Sequence, residues 1–320
     1  VNLQALAAML RNAKGVAHKR DIAPVLARLG ADGAVPIGDD CAAIPDGDGF
    51  LLFAIEGFMP EFVAADPYFA GYCGVMVNMS DIAAMGGRAI AVVDALWSAS
   101  AQDAVPVLAG LKAASERYRI PVVGGHTNTR AEANLLSVAI LGRANKLLTS
   151  FDAKPGQDLV AAIDLRGRMR EPALYWDASS EADPARLRAD LEILPEIAED
   201  GVCGAAKDIS MAGVVGTALM LLEASRLGGV IDVLAIPRPA EIAVERWLLA
   251  FPSYGYLLSV EPGSTADVIG RFAARGIAAA VVGGTDASKV VRLRDGDAES
   301  VFWRLDDEAL TGCLGERNYA

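Results

Sequence analysis

Apolar and polar positions along this chain alternate in two rhythms, short strand-like runs and longer helical ones. The most uniform stretch begins at Asp66-Pro67, a helix start with proline at the first helical position. It runs through small and apolar residues to Gly86-Gly87, a pair suited to a left-handed helix end. Two strongly polar side chains interrupt it, Asn78 and Asp81. Their spacing puts both on one helical face. Burying an amide and a carboxylate without partners costs about 2–7 kcal/mol, so the pair calls for a ligand or a polar neighbour. A helix end with a solvated aspartate is the plain alternative.

On either side the chain reads as interleaved elements. Strands are expected at 50–55, 89–96, 120–123 and 135–142, with a helix at 104–117. Residues 1–35 read as loosely ordered helix. The turn cluster Lys154-Pro155-Gly156-Gln157-Asp158 breaks the pattern. Beyond it, strands are expected at 159–163, 230–234, 256–260, 278–283 and 289–294, and helices at 184–197, 211–227, 240–250 and 265–275. The charged stretch 166–184 reads as mobile. Interleaving in both halves predicts the α/β class with mixed sheets, in two domains, 1–150 and 151–320. No short-period repeat is present.

Composition narrows the function classes. The 320 residues are 53% hydrophobic and 22% charged, enough apolar material for a buried core. The net charge of −12 and pI near 4.7 speak against nucleic acid as a partner. The uncharged run Met211 to Leu222 is far shorter than the ~20 apolar residues of a membrane span. The first residues lack the basic-then-apolar order of a signal peptide. Cys41, Cys73, Cys203 and Cys313 are too scattered for a CxxC metal site. A cytoplasmic protein with reduced thiols is expected.

Five carboxylates, Asp39, Asp40, Glu56, Asp81 and Asp208, precede or end regular elements. Oxygen ligands from separate segments suit Mg²⁺, whose other positions are filled by water and nucleotide phosphates. Each acid also has an ordinary reading as a turn or cap residue. Gly124-Gly125-His126-Thr127 would let backbone amides approach a ligand, or simply form a tight turn. The cluster Lys14, His18, Lys19 and Arg20 is either a solvated face or an arm that meets a phosphate. With two histidines and no HExxH, a zinc enzyme is not expected. No Walker A loop and no GxGxxG is present.

Four ordered motifs carry a resemblance: Gly38-Asp39-Asp40-Cys41-Ala42; Asn78-x-Ser80-Asp81-Ile82-Ala83-Ala84-Met85-Gly86-Gly87; Gly124-Gly125-His126-Thr127; and Lys207-Asp208-Ile209-Ser210. Together they resemble the ATP-binding signatures of the superfamily containing aminoimidazole ribonucleotide (AIR) synthetase, thiamine-monophosphate kinase and selenophosphate synthetase. The resemblance implies an AIR synthetase-like two-domain fold, whose N-terminal sheet pairs with a second subunit to close a barrel, and whose C-terminal domain is an α/β sandwich. It implies a homodimer that takes ATP, Mg²⁺ and a small-molecule substrate, with phosphoryl transfer driven by positioning and charge neutralisation. By position, Asp40, Glu56, Asp81 and Asp208 match the metal ligands, with Asn78 beside them, and Asp39 is counted in the expected metal-binding set. Gly38, Lys19 and 124–127 would meet the nucleotide. Glu56 stands where an aspartate is usual.

Other departures concern the substrate. His126 replaces the Asp of kinase-like members, and Ser210-Met211-Ala212-Gly213 replaces Ser-Asp-Gly. Pro252-Ser253-Tyr254-Gly255-Tyr256 stands in place of Gly-Glu-Asp. No cysteine precedes Cys41, so the reactive Cys of selenophosphate synthetases has no counterpart. The expected activity is ATP-dependent phosphorylation or activation of a small metabolite. A nucleotide-binding subunit without turnover, or a scaffold, is the alternative.

Overall fold

The computed structural model describes residues 2–29 and 34–314. Three helices open the chain: α1 (Leu3–Asn12), α2 (Lys14–Lys19) and α3 (Ile22–Leu29). The Asn2 side chain caps α1 by accepting from the amide of Ala5. Leu3, Leu6, Ala7 and Leu10 form one apolar stripe on α1, and all four are buried in a core with Val16 of α2. Arg11 and Arg20 pair with Glu308 and lie over the Trp303 ring. The expectation of a loosely ordered N-terminal arm is therefore corrected for its described part, because that stripe has a core to enter. Residues 1 and 30–33 of the stretch lie outside the described residues.

The chain forms two compact units. One comprises the described residues of Val1–Asp39, Leu147–Ala178 and Glu196–Ala320; the other comprises Asp40–Lys146 and Ser179–Pro195. The units do not follow a single cut near residue 150, since both exchange segments across it.

The Asp40–Lys146 unit contains β1 (Ala42–Asp46), β2 (Gly49–Phe58), α4 (Pro60–Ala65), α5 (Pro67–Ala84), β3 (Arg88–Trp97), α6 (Ala101–Tyr118), β4 (Val122–Asn128) and β5 (Leu135–Ala144). The strands form one sheet in the order β1-β2-β5-β3-β4. Only β3 and β4 run parallel, and α6 supplies the crossover that a parallel pair requires. Leu52, Val92, Leu96, Leu136, Val138 and Ile140 fill the helix-covered face. The alternate positions Phe53, Ile55, Val93 and Leu141 are exposed on the other face. Helix α5 is apolar all round and almost wholly buried. The Asp66 carboxylate caps it by accepting from the Phe69 amide at 3.1 Å. Gly71 of α5 and Gly110 of α6 let the two helices touch backbone to backbone: a Cβ on either would strike a carbonyl of the other helix.

The other unit is built on seven strands. Its elements, with two helices that lie between them in the chain, are β6 (Asp158–Ile163), β7 (Arg168–Arg170), β8 (Tyr175–Asp177), α7 (Pro184–Leu191), α8 (Ile193–Asp200), β9 (Ala205–Asp208), α9 (Gly213–Ala224), β10 (Gly228–Asp232), α10 (Val244–Trp247), β11 (Gly255–Val260), α11 (Thr265–Ala274), β12 (Ala278–Asp286), β13 (Val290–Asp295) and β14 (Ala298–Arg304). The sheet order is β14-β13-β10-β12-β6-β11-β9, and β10 and β13 are its parallel pair. The mixed α/β class expected from the alternation is what forms.

Several local expectations change. The stretch expected to be mobile contains the hairpin β7–β8, and the helix expected at 240–250 is reduced to α10. β9 was not anticipated, because four residues carry no periodicity; pairing with β11 makes them a strand. Inside the apolar α9, Glu223 is 2% exposed. Its carboxylate accepts from the amides of Leu310 and Thr311 at 2.7 and 2.9 Å and from the Thr311 hydroxyl. That anchor holds the 310–313 segment, whose Cys313 packs so closely on Gly38 that a Cβ there would overlap it.

Candidate functional site

In the Asp40–Lys146 unit, strand register decides which polar residues meet. Glu56 of β2 pairs with Val138 of β5, Val138 with Asp94 of β3, and Asp94 with Gly125 of β4. Directly opposed residues project to the same face of a sheet. Val138 is fully buried, so this row faces the helix layer. The Asn78 amide of α5 lies over the row, donating to the Val138 carbonyl at 3.0 Å and to that of Gly74 at 2.8 Å. Its Oδ1, fully buried, has no hydrogen-bond partner among the described residues. Asp81 follows one turn later and is 5% exposed. Gly86, with φ +74°, then ends the helix region as expected.

Asp94 was missed by motif reading. Its signal in the sequence is a lone acid within an otherwise apolar strand. Burial raises its pKa, with its own backbone amide opposing. Gly125 has no room for a side chain, since a Cβ would sit 2.5 Å from Asp94 Oδ1 and 2.6 Å from its carbonyl oxygen.

The segment 124–127 is part of the exposed edge strand β4 rather than a tight turn. Alternation along that strand separates its members. Gly125 shares the face of Asp94, whereas His126 pairs with Ala95 and lies against Trp97 on the opposite face, ring centroids 5.8 Å apart. His126 is therefore not gathered with the acids. Gly124 opens onto free space. Asp40 is half-buried just before β1.

The remaining expected residues belong to the other unit. Gly38 has φ +118°, which favours glycine. Asp39 accepts from the Ser150 amide and hydroxyl, both at 2.6 Å, and faces Lys207 Nζ at 3.6 Å. Its side chain is thus committed to joining three segments of its unit. Lys19 is half-exposed at the end of α2, and Gly15 of that helix packs directly on the Met211 carbonyl.

Asp208 ends β9 fully buried, and its Oδ2 accepts from the Ser253 hydroxyl at 3.1 Å. The Ile209 amide donates to the Gly255 carbonyl, and the Ile209 carbonyl accepts from the Ser253 amide. Those two bonds bracket Tyr254. Burial, and then the Asp208 carboxylate, push the Tyr254 phenol well above its ordinary range.

Among the described residues, no group of three or more His, Cys, Asp or Glu is arranged to hold a metal ion. Oxygen donors are nevertheless present on the helix-facing side of the sheet. Such a set suits a hard cation that takes one or two protein carboxylates and draws its other ligands from phosphates and water.

Family models match two blocks of the chain, the AIR synthase related protein N-terminal domain over residues 38–144 and the C-terminal domain over 160–296. The chain belongs to the AIR synthase-related family. An uncharacterized protein of Synechocystis sp. is 47% identical across 96% of this chain and 97% of its own length. Another, from Methanocaldococcus jannaschii, is 35% identical across 98% of this chain and 100% of its own. A thiamine-monophosphate kinase of Pyrococcus horikoshii is 31% identical over 47% of this chain and 50% of its own length.

Solved structures share the fold. PurL of T. maritima complexed with ADP superposes with a TM-score of 0.76 at 19% identity, covering 98% of this chain and 52% of PurL. The chain therefore spans about half the length of the PurL chain that it resembles. AaThiL complexed with AMPPCP and TMP gives 0.65 at 18% identity, covering 88% of this chain and 95% of that one. The AIR synthase-like two-domain fold implied by the motifs is the fold of this AIR synthase-related chain.

Proposed function

We propose that this AIR synthase-related chain is an ATP- and Mg²⁺-dependent enzyme that transfers a phosphoryl group to, or activates, a small metabolite. The observation that carries the reading is the buried oxygen of Asn78, left without a partner over a sheet row that also holds Glu56 and Asp94. The names of the relatives, a kinase and nucleotide-complexed chains, support it. In this reading Asn78, Glu56, Asp81 and Asp40 hold a cation that the nucleotide phosphates also bind. When bound, Mg²⁺ supplies neutralisation of developing charge on the transferred group. The β4 edge at Gly124 and Gly125 offers backbone amides to phosphate oxygens. Asp39 is left out of the ligand set because Ser150 and Lys207 already engage it.

The exposed apolar row Phe53, Ile55, Val93 and Leu141 supports a homodimer closed across this face. A cytoplasmic location fits the reading, and no helix among the described residues is long and apolar enough to cross a membrane. A second reading, nucleotide binding without turnover, is favoured by Met211 standing where kinase-like relatives carry an aspartate.

Calorimetric titration with Mg·ATP, followed by ADP release against a panel of small metabolites, separates the two. Binding that weakens at least about tenfold, 1.4 kcal/mol, in Asp81→Ala is expected, together with turnover on at least one acceptor. Binding without ADP release on any acceptor favours the second reading. No Mg·ATP binding refutes both.

A further inference from the structure

Lys207 of β9 is the only buried lysine or arginine among the described residues. Its Nζ lies 3.6 Å from Asp39 Oδ1, and the two side chains are 7% and 1% exposed. Asp39 also accepts from the Ser150 amide and hydroxyl, one on each carboxylate oxygen, both at 2.6 Å. Ser150 is itself held. Its carbonyl accepts from the hydroxyl of Ser225, the residue that ends α9, at 2.7 Å. The neighbouring Thr149 amide donates to the Gly204 carbonyl, just before β9, at 3.0 Å. One residue before Asp39, Gly38 packs against Cys313. Two successive residues, 38 and 39, are therefore tied into their unit.

A buried ion pair is a weak stabiliser, because desolvation offsets most of its attraction and apolar replacements are often neutral or stabilising. A charged pair with its hydrogen bonds satisfied does fix one geometry, whereas apolar contacts of similar volume tolerate several. The place of the pair in the sequence shows what is fixed. Asp39 is followed directly by Asp40, the first residue of the other unit and a cation ligand in the proposed function. Lys207 is followed directly by Asp208, which the motifs imply as a ligand and whose Oδ2 accepts from Ser253.

We propose that Asp39 and Lys207 are a positioning pair for the cation site. Their contact holds the main chain at 39 and 207, and through it the Asp40 and Asp208 carboxylates that follow. Neither member of the pair binds the cation. The proposal rests on the Mg·ATP reading and adds two residues to it. It gives Asp39, expected from the motifs in the metal-binding set, a part in that site without contact to the ion.

The test compares the full chain with the double variant Asp39→Asn/Lys207→Met and with Ser150→Ala. The double variant removes both charges, leaves the net charge unchanged and keeps an acceptor for Ser150. Its melting temperature is expected within about 3 °C of the unaltered chain's. Hydrogen exchange of the ligand-free protein rises in peptides covering 36–42 and 203–211. ATP affinity is measured by calorimetry with Mg²⁺ and with EDTA. The gain that Mg²⁺ brings falls at least about fivefold in the double variant and by less in Ser150→Ala, while affinity in EDTA is unchanged. An unchanged Mg²⁺ gain in the double variant overturns the proposal, and in Ser150→Ala it does so if the double variant does not fold. So does equal weakening with and without the metal, which marks a general defect of the nucleotide site. Exchange unchanged in the two peptides overturns the positioning role alone. Absence of Mg·ATP binding by the unaltered chain refutes the nucleotide reading, and this proposal with it.

Discussion

Replacing Asn78 tests whether its side chain is fixed by donation, as the geometry requires. Its Nδ2 makes two hydrogen bonds to carbonyl oxygens, at 2.8 and 3.0 Å, from a residue that is fully buried. Each such bond contributes about 0.5–1.5 kcal/mol net, so Asn78→Ala is expected to cost about 1–3 kcal/mol. Asn78→Asp is nearly isosteric but replaces the donor with an acceptor facing two carbonyls, and adds a buried charge. That variant should cost more, about 3–5 kcal/mol, the range for an uncompensated buried charge. With a urea dependence of about 2 kcal/mol/M, a loss of about 4 kcal/mol lowers the midpoint by about 2 M. The deficit also has a pH signature. Burial raises the introduced carboxyl's pKa in the folded state, so the unfolded chain releases its proton first and stability falls as pH rises between the two values. Urea unfolding at pH 5 and pH 7.5, with hydrogen exchange of peptides spanning α5 and β5, reads both effects. An Asn78→Asp variant less perturbed than Asn78→Ala, or one whose deficit shrinks on going to higher pH, would refute the donor assignment.

Three further outcomes follow from other contacts. Glu223→Ala strands the Leu310 and Thr311 amides and should cost about 3–5 kcal/mol; limited proteolysis should then cut first near 310–313, and an unchanged midpoint would contradict the anchor. Burial raises the Asp94 pKa, so its contribution is most favourable below the unfolded value near 3.8 and declines as pH rises through the folded value. Asp94→Asn should therefore gain stability over the unaltered chain progressively toward neutral pH in thermal melts, and a gain that is flat with pH would count against it. Ile55→Lys places a charge within the exposed apolar row of the open sheet face and should convert the proposed homodimer to monomer by light scattering. A dimer that persists would point to another interface.

The sequence by itself determined the class and the family. Its alternation was enough to foresee most strands of both sheets, because a half-buried strand writes its burial into every second residue. The Asp66-Pro67 start and the Gly86 end of α5 were equally legible, since caps act through their own side chain or φ. What tertiary structure decided was which polar residues meet. Cross-strand register put Asp94 in the row of Glu56 and sent His126 to the opposite face, and register is a relation between strands that no single strand encodes. Asp39 and Asp40 read alike as neighbouring acids, yet it took the folded chain to show Asp39 engaged by Ser150 and Lys207, both remote in sequence. Tyr254 entered the sequence reading only as part of a departure from a family motif, and folding left its hydroxyl buried with no hydrogen-bond partner among the described residues. Periodicity reports whether a side chain is buried; the identity of its neighbours depends on segments far apart in the chain, and only their packing brings them together.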